Sequence, residues 1–207
     1  MPCFRNGSPV PVSELFNKVN NVLQNRRICN LNCTRRLLPD KRNGWPNMTE
    51  SELPQASRKL AARAQERGFA IEISIMPDST RTAEDAAAAC KVTVGQIVKS
   101  LVFEDAETGD PLMFLVSGTN RLNEKTVRAH TGRKVKRADA DAVRKVTGFA
   151  IGGIPPFGHD TALATWMDRD LMDHEVIWAA AGTPNAVFPT TPGQLAQASG
   201  ATVIDLK

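Results

Sequence analysis

The segment Val98-Lys-Ser-Leu-Val-Phe-Glu104, together with Leu112-Met-Phe-Leu-Val-Ser117 after it, decides the fold class of this chain. Both segments are rich in apolar and β-branched residues, and the turn formers Thr108-Gly-Asp110 lie between them, so we predict a β-hairpin. The two strands of a hairpin pair antiparallel, whereas a doubly wound fold is built on parallel strands. Because short helices are also predicted around this hairpin, we expect an α+β fold.

Helix and strand signals alternate on both sides of the hairpin. We predict helices over residues 55–67 and 82–90, two short helices capped by Asn123 and Asp139, and a last helix that begins with Thr191-Pro-Gly-Gln194. Further strands are predicted at residues 69–75, 161–166, 176–181 and 201–206. The last of these strands closes the sheet.

Charge and length divide the chain at about residue 47. The 207 residues, 42% of them hydrophobic, fit one domain with an appendage. Residues 1–47 hold eight Lys/Arg against two acidic residues, so the remainder, with 18 against 20, is slightly acidic. We expect 1–47 to be a disordered extension with three open origins: a start annotated before a natural start at Met48, a basic tRNA-binding arm, or a targeting peptide. Residues 48–207 form the predicted domain.

Several classes of protein are excluded by what the sequence lacks. No apolar run approaches the roughly 20 residues that a membrane span needs, so we expect a cytoplasmic protein without a membrane segment. The chain also lacks nucleotide-binding glycine loops, a G-x-S-x-G elbow and an H-x-x-x-H pair, and Cys29 and Cys33 have no second pair beside them. We therefore predict no metal and no cofactor. An enzyme built on this chain would use neither an obvious triad nor a metal ion.

Lys99 is the first candidate for chemistry. In an alternating strand it lies on the side of Leu101 and Phe103, which should face the core, and a lysine on an apolar face is unusual. One interpretation is an ammonium at the mouth of a pocket, able to hold a phosphate or to polarise an ester. The other is a lysine at the end of a strand whose ammonium reaches water.

The second candidate is the segment Phe149-Ala-Ile-Gly-Gly-Ile-Pro-Pro-Phe-Gly-His159. Its two adjacent glycines let the backbone approach a ligand closely, and its two prolines stiffen the loop. Free N–H groups at Gly152, Gly153 and Ile154 would then bind a carbonyl or a developing oxyanion. An ordinary rigid turn is the alternative.

The third candidate is a basic strip, which we define as residues 121–145. It holds nine Lys/Arg against three acidic residues, within a domain that is slightly acidic overall. Such a concentration of positive charge suits a phosphate backbone, and an ordinary solvated face is the alternative. The candidate nucleic-acid contacts are Arg128, Arg133, Lys134, Lys136 and Arg137.

Four segments, in this order, resemble the YbaK/EbsC family, which includes the ProX-type trans-editing proteins and the editing insertion of bacterial prolyl-tRNA synthetases. They are Thr82-Ala-Glu-Asp-Ala-Ala87, Gly95-Gln-Ile-Val-Lys-Ser-Leu-Val-Phe103, Thr147-Gly-Phe-Ala-Ile-Gly-Gly-Ile-Pro-Pro-Phe-Gly158 and Ala179-Ala-Ala-Gly-Thr-Pro184. The resemblance covers about residues 54–207. It implies a mixed, partly barrel-like sheet with outer helices. It also implies hydrolysis of the ester of a mischarged aminoacyl-tRNA, most often tRNA for proline.

The resemblance also implies roles for individual residues. Lys99 corresponds to the essential lysine of the family, and the catalytic loop maps onto Gly152, Gly153, Ile154 and Pro156. Gly182 corresponds to a glycine beside the substrate pocket, and the substrate-binding candidates are Gly182, Thr183, Phe157 and His159. Many relatives have serine where this chain has Pro155, so a role of that serine in selecting the amino acid does not carry over.

The implied partner is tRNA, with prolyl-tRNA synthetase as a candidate second partner, and we expect a monomer or a weak dimer. Two alternatives to an aminoacyl-tRNA deacylase stay open at this point. One is a non-catalytic tRNA- or synthetase-binding module, and the other is a DNA-binding protein, for which the chain lacks a helix-turn-helix or finger signature. The amino acid that is removed is left open, because one methylene in a pocket changes binding by only about 1–3 kcal/mol.

Overall fold

The computed structural model describes residues 52–207. These residues form five α-helices, eight strands and two short 3-10 helices. The α-helices are α1 (Gln55–Glu66), α2 (Ala83–Cys90), α3 (Glu124–Thr131), α4 (Ala140–Thr147) and α5 (Pro192–Ser199). The strands are β1 (Ser74–Ile75), β2 (Ile97–Asp105), β3 (Pro111–Ser117), β4 (Val135–Arg137), β5 (Ala164–Asp168), β6 (Ile177–Ala180), β7 (Ala186–Thr190) and β8 (Thr202–Ile204). The 3-10 helices are Val94–Gln96, before β2, and Arg169–Asp173, after β5.

The eight strands form one mixed sheet in the order β1-β7-β6-β2-β3-β5-β8, with β4 paired to β2 beside this path. The predicted hairpin is present as β2 and β3, which pair antiparallel with Lys99 opposite Val116. Parallel pairs join β2 to β6, β3 to β5 and β5 to β8. A sheet that contains both kinds of pair, combined with five helices, confirms the predicted α+β class.

β2 is a central strand, and one of its edges is shared between two partners. Ile97 and Val98 pair with β6, and residues 103–105 pair with β4. Within the described part of the chain, residues 99–102 therefore have no strand neighbour on this edge. The sheet is interrupted beside Lys99.

Alternation along β2 distributes its side chains between two faces. Val98 belongs to the largest core cluster. On the other face, Ile97 packs in a second cluster with residues of α2. Leu101 and Phe103 pack against a third cluster, which includes Val127 of α3. The prediction that Leu101 and Phe103 face the core is confirmed. Lys99, which lies between Ile97 and Leu101 on this face, interrupts the apolar surface.

The predicted helices form, and side-chain caps hold their first turns. Thr82 Oγ1 accepts a hydrogen bond from the N–H of Asp85 at 3.0 Å at the start of α2. Asn123 and Asp139 cap α3 and α4 through their side chains, and Thr191 forms a capping box at the start of α5. These helix starts follow from the local sequence.

Some strands differ from the prediction. Strand 69–75 was expected in full, but only β1 pairs, although Phe69 and Ile73 pack against the largest cluster. The reason is that apolar alternation reports burial and not a hydrogen-bonded neighbour. β7 has neighbours on both edges, and the sequence does not predict it because Pro189 argues against a central strand.

Two predictions fall on residues that the structure does not describe. The extension 1–47, with its cysteine pair Cys29 and Cys33, lies outside the described range, so the domain boundary at residue 48 stays a prediction.

Within residues 52–207, no helix is both long enough and apolar enough to cross a membrane. In the same range, no group of three or more His, Cys, Asp or Glu residues could hold a metal ion.

Candidate active site

Lys99 is held by the turn that follows β3. Its Nζ atom donates one hydrogen bond to the carbonyl oxygen of Gly118 at 3.0 Å and another to the carbonyl oxygen of Asn120. Burial lowers the pKa of Lys99, and the negative charges of Glu84 and Asp168 partly offset this. The ammonium is therefore placed by two backbone carbonyls.

The loop 152–156 is anchored in the core of the domain by its apolar side chains. Ile154 is 7% exposed and belongs to the largest core cluster. The N–H of Gly153 donates to the carbonyl oxygen of Ala150 at 3.1 Å, so the prediction of a free N–H is wrong at Gly153, where it closes a turn. The N–H groups of Gly152 and Ile154 have no hydrogen-bond partner among residues 52–207. Two of the three predicted donors are thus unpaired within these residues, and their contact with a ligand stays a prediction.

Two glycines bring this loop against the end of β6. The N–H of Gly182 donates to the carbonyl oxygen of Gly153 at 2.9 Å. A Cβ atom at Gly153 would lie 2.6 Å from backbone atoms of Thr183, which is shorter than real contacts allow. Gly182 has φ +98° and lies against the backbone of Ala56, so both its conformation and its surroundings require glycine. The structure therefore brings together Gly153, Gly182 and Thr183.

Residues at the start of α2 are near both Lys99 and the loop. The Cγ atom of Arg81 would be 3.5 Å from a Cβ atom at Gly152. Glu84, in the first turn of α2, is near enough to Lys99 to raise the pKa of its ammonium. Among the described residues no hydrogen bond joins Lys99 directly to the loop. The arrangement offers an ammonium and two N–H donors, with the start of α2 as their common neighbour.

A comparison with protein families decides what kind of domain this is. The family model described as an aminoacyl-tRNA editing domain matches residues 77–198, a range that includes α2, Lys99, the loop and Gly182. The chain belongs to this family. The resemblance of the four sequence segments to YbaK-type editing domains is thereby confirmed.

Individual proteins are also similar to this chain. The crystal structure of a candidate trans-editing enzyme for prolyl tRNA synthetase is 45% identical, with a TM-score of 0.71, and the match covers 75% of this chain and 99% of that one. The hypothetical protein APE2540 is 31% identical, with a TM-score of 0.66, over 72% of this chain and 98% of that one. The uncharacterized protein YwhH of Bacillus subtilis (strain 168) is 28% identical over 130 residues, which are 62% of this chain and 81% of that protein.

Several predicted site residues of the editing domain make contacts that fix the conformation of the loop. His159 Nε2 lies 2.8 Å from the carbonyl oxygen of Pro155, and burial lowers the pKa of its imidazole. Phe157 is 3% exposed and meets the ring of Phe188 edge-on, with centroids 6.0 Å apart. Pro156 is also buried. These contacts shape the loop, and the predicted contact of His159 and Phe157 with substrate stays a prediction.

Sequence reasoning missed polar residues that the structure places near Lys99. Asn120 accepts from the ammonium through its backbone, and Asp168, which is fully buried, accepts from the Asn120 side chain at 2.9 Å. Ser100 Oγ is buried and has no hydrogen-bond partner among the described residues. A polar residue beside Lys99 is the sequence signal for Ser100, and one at the end of a strand is the signal for Asp168, whereas Asn120 lies in a turn and has neither. Which of them is buried, however, depends on the tertiary structure.

The basic strip is divided by its ion pairs. Arg133 donates to Asp105 at 2.9 Å, and Asp105 is 4% exposed, so this arginine neutralises a buried carboxylate. Lys136 pairs with Glu104 at 3.1 Å across β2 and β4. The remaining candidates are exposed and take part in no ion pair within residues 52–207; they are Arg128, Lys134 and Arg137. The positive charge available to a nucleic acid is therefore smaller than the composition indicates.

Proposed function

We propose that this editing domain hydrolyses the ester bond of mischarged aminoacyl-tRNA, with tRNA for proline as the carrier. Membership of the editing family supports an editing function, and the 45% identical candidate trans-editing enzyme supports prolyl-tRNA synthetase as the enzyme whose errors are corrected. The observation that carries the proposal is the Lys99 ammonium, placed by two carbonyls where β2 lacks a strand neighbour.

The proposed reaction needs water and a developing negative charge that the protein can stabilise. Water adds to the carbonyl carbon of the ester, the bond from that carbon to the ribose oxygen breaks, and a proton passes to the departing ribose oxygen. Lys99 binds the terminal adenosine phosphate or the ester, and the N–H groups of Gly152 and Ile154 bind the carbonyl oxygen. A neighbouring ribose hydroxyl assists the proton transfer. No protein nucleophile is required, which fits a sequence without a triad pattern.

The body of the tRNA would contact the unpaired part of the basic strip. Arg128, Lys134 and Arg137 are exposed and have no carboxylate partner in the described part of the chain. Phosphate contacts give affinity without base specificity, so this surface serves to orient the acceptor end. Prolyl-tRNA synthetase is the candidate second partner, as the supplier of mischarged product.

The test is single-turnover hydrolysis by the purified full-length chain. The protein, in excess, is mixed with tRNA for proline that carries radiolabelled alanine, cysteine, serine, threonine or 2-aminobutyrate, and the release of free amino acid is timed. We expect release from at least one of these substrates. Lys99→Met is the matched control, because it keeps an unbranched side chain and removes the ammonium. A gel shift without release from any substrate would instead identify a non-catalytic tRNA-binding module.

A further inference from the structure

Asp168 is a buried carboxylate at the end of β5, with 0% exposure. Its Oδ2 atom accepts hydrogen bonds from the Ser117 N–H at 3.2 Å and from the side-chain amide of Asn120 at 2.9 Å. Its Oδ1 atom accepts from the N–H of Asp170 at 3.2 Å. No cation lies within ion-pair distance of it among residues 52–207. Because a buried charge is costly unless it is hydrogen-bonded, these donors are what keep the carboxylate in place.

The turn 117–120 lies between this carboxylate and the Lys99 ammonium. Its donors, the Ser117 N–H and the Asn120 side-chain amide, face Asp168. Its acceptors, the carbonyl oxygens of Gly118 and Asn120, face Lys99. The turn therefore presents hydrogen-bond donors to the anion and hydrogen-bond acceptors to the cation. The side-chain amide of Asn120 and the carbonyl that accepts from Lys99 belong to one residue, so the hydrogen bond to Asp168 helps to fix that carbonyl.

We infer that Asp168 is a positioning residue for the Lys99 ammonium and acts through Asn120. Its effect on activity rests on the proposed function, whereas its effect on Lys99 rests on the hydrogen bonds of the turn. Asn120 also donates to Asp170 at 2.8 Å, and Lys207 Nζ lies 2.6 Å from the same carboxylate oxygen. The Asn120 side chain is thus clamped between two carboxylates, and the carbonyl that accepts from Lys99 belongs to the same residue.

The charges that face Lys99 come from three elements. Glu84 in α2 and Asp168 at the end of β5 raise the pKa of Lys99, Arg121 after the turn lowers it, and burial lowers it most. Removing the Asp168 charge takes away an anion that favours the ammonium, so the pKa of Lys99 falls. The ammonium is then lost at a lower pH. If deacylation depends on the ammonium, the deacylation rate therefore begins to decline at a lower pH on the alkaline side of its pH profile.

The experiment compares Asp168→Asn and Asn120→Ala with the parent, each as the full-length chain. The control is Asp105→Asn, a second buried carboxylate, 4% exposed, at the opposite end of β2 from Lys99. The first readout is the pKa of Lys99, obtained from the pH dependence of its labelling by an amine-reactive reagent and quantified by mass spectrometry. The second readout is the single-turnover deacylation rate against pH, on the substrate that the parent hydrolyses.

In both test variants we expect Lys99 to titrate at a lower pH than in the parent, and the alkaline limb of the rate to move with it. In Asp168→Asn the cause is the lost anion, and in Asn120→Ala it is the weakened hydrogen bonding of the ammonium to a carbonyl that is no longer held in place. The rate should fall by about 100-fold, the order that a misplacement of about 1 Å costs. Asp105→Asn should leave the titration of Lys99 and the alkaline limb in place, even where its stability falls as much.

Unchanged titration of Lys99 in both test variants, with a rate loss no larger than that of Asp105→Asn, would overturn the inference and leave Asp168 a structural residue. Should Asp168→Asn not fold, Asn120→Ala decides, since it removes one partly buried amide and leaves the carboxylate. A parent that releases no amino acid contradicts the proposed function alone. The labelling of Lys99 still decides the positioning role in that case.

Discussion

The N–H of Gly182 donates a hydrogen bond to the carbonyl oxygen of Gly153 at 2.9 Å, and this bond joins two segments that lie far apart in the sequence. The approach is possible because Gly153 has no side chain: a Cβ atom there would lie 2.6 Å from the backbone of Thr183. The two glycine segments that the sequence presents separately are therefore parts of one structural feature. Its disruption should displace the N–H donors of the loop.

Gly153→Ala should destabilise the domain and lower deacylation together. The added methyl group forces the loop away from Thr183, and overpacking of this kind costs roughly 1–3 kcal/mol of the free energy of unfolding. Urea denaturation and single-turnover rates measure the two effects. Gly193→Ala is the control, because a Cβ atom at Gly193 meets nothing within 4 Å. A Gly153→Ala variant as stable and as active as the parent would show that the close approach is not needed.

Lys99→Ala should abolish deacylation while the domain stays folded. Loss of one electrostatic contact to a developing charge lowers a rate by roughly 100-fold to 1,000-fold. On the sequence alone, the place of this lysine on an apolar face predicts a melting temperature that holds or rises slightly when the ammonium is removed. The structure changes that expectation, since Gly118 and Asn120 lose the donor to their carbonyls, at a cost of about 1–2 kcal/mol.

Lys99→Arg should also be poor, because a planar guanidinium does not replace a compact ammonium between two carbonyls. Lys91→Ala, which changes an exposed lysine at the end of α2, is the control for both variants. Rates come from single-turnover release of amino acid and stability from thermal melts. Full activity in Lys99→Ala would remove this lysine from the mechanism.

Acid should weaken the fold through His159. Burial lowers the pKa of this imidazole from its usual 6.5, so between the lowered value and 6.5 the unfolded chain binds a proton that the folded chain does not. The free energy of unfolding therefore rises with pH across this window, and the contribution of His159 is lost as the pH falls through it and stays constant below it. Urea denaturation at about pH 7.5 and about pH 5.5 measures the difference. His159→Gln should reduce it, and His130→Gln, which changes an exposed side chain, should not. An equal pH dependence in the parent and in His159→Gln would contradict the assignment.

The basic strip should separate into binding and structural residues. Charge reversal of Lys134 and Arg137 should weaken tRNA binding and lower the salt dependence by about one unit of slope for each lost phosphate contact, with stability unchanged. Arg133→Ala should instead cost about 1–2 kcal/mol of stability, because Asp105 loses its cation. Filter binding at several salt concentrations and urea denaturation distinguish the two classes. The division fails if Arg133→Ala is neutral in stability, or if the Lys134 and Arg137 reversals leave the salt slope unaltered.

Removal of residues 1–47 should leave folding and deacylation unchanged. The segment contributes no periodic apolar face that a core could use, so few stabilising contacts are expected from it. Circular dichroism melts and single-turnover rates of residues 48–207 against the full-length chain provide the measurement. A truncated protein that is insoluble or inactive would place part of the folded domain before Met48.

The sequence by itself determined the hairpin of β2 and β3 and the caps of α2 to α5, and it made Lys99 and the glycine-proline loop the candidates for the active site. Each of these depends on residues close together in the chain: a turn between two apolar runs, a hydroxyl three residues before an N–H, a lysine between apolar neighbours. The family resemblance rests on the same short segments. Local chemistry is enough wherever the interacting groups are neighbours in sequence.

Only the tertiary structure decided which groups surround those residues. The carbonyls that hold Lys99 lie about 20 residues along the chain and are fixed by a carboxylate about 50 residues further on, at Asp168. The same holds for Arg133, whose charge is taken up by Asp105 on another strand, and for β7, which pairs on both edges despite Pro189. Burial and pairing between distant segments decide which basic side chains lack an ion pair, which backbone N–H groups lack an acceptor and which segments pair as strands. Local sequence patterns do not contain this information.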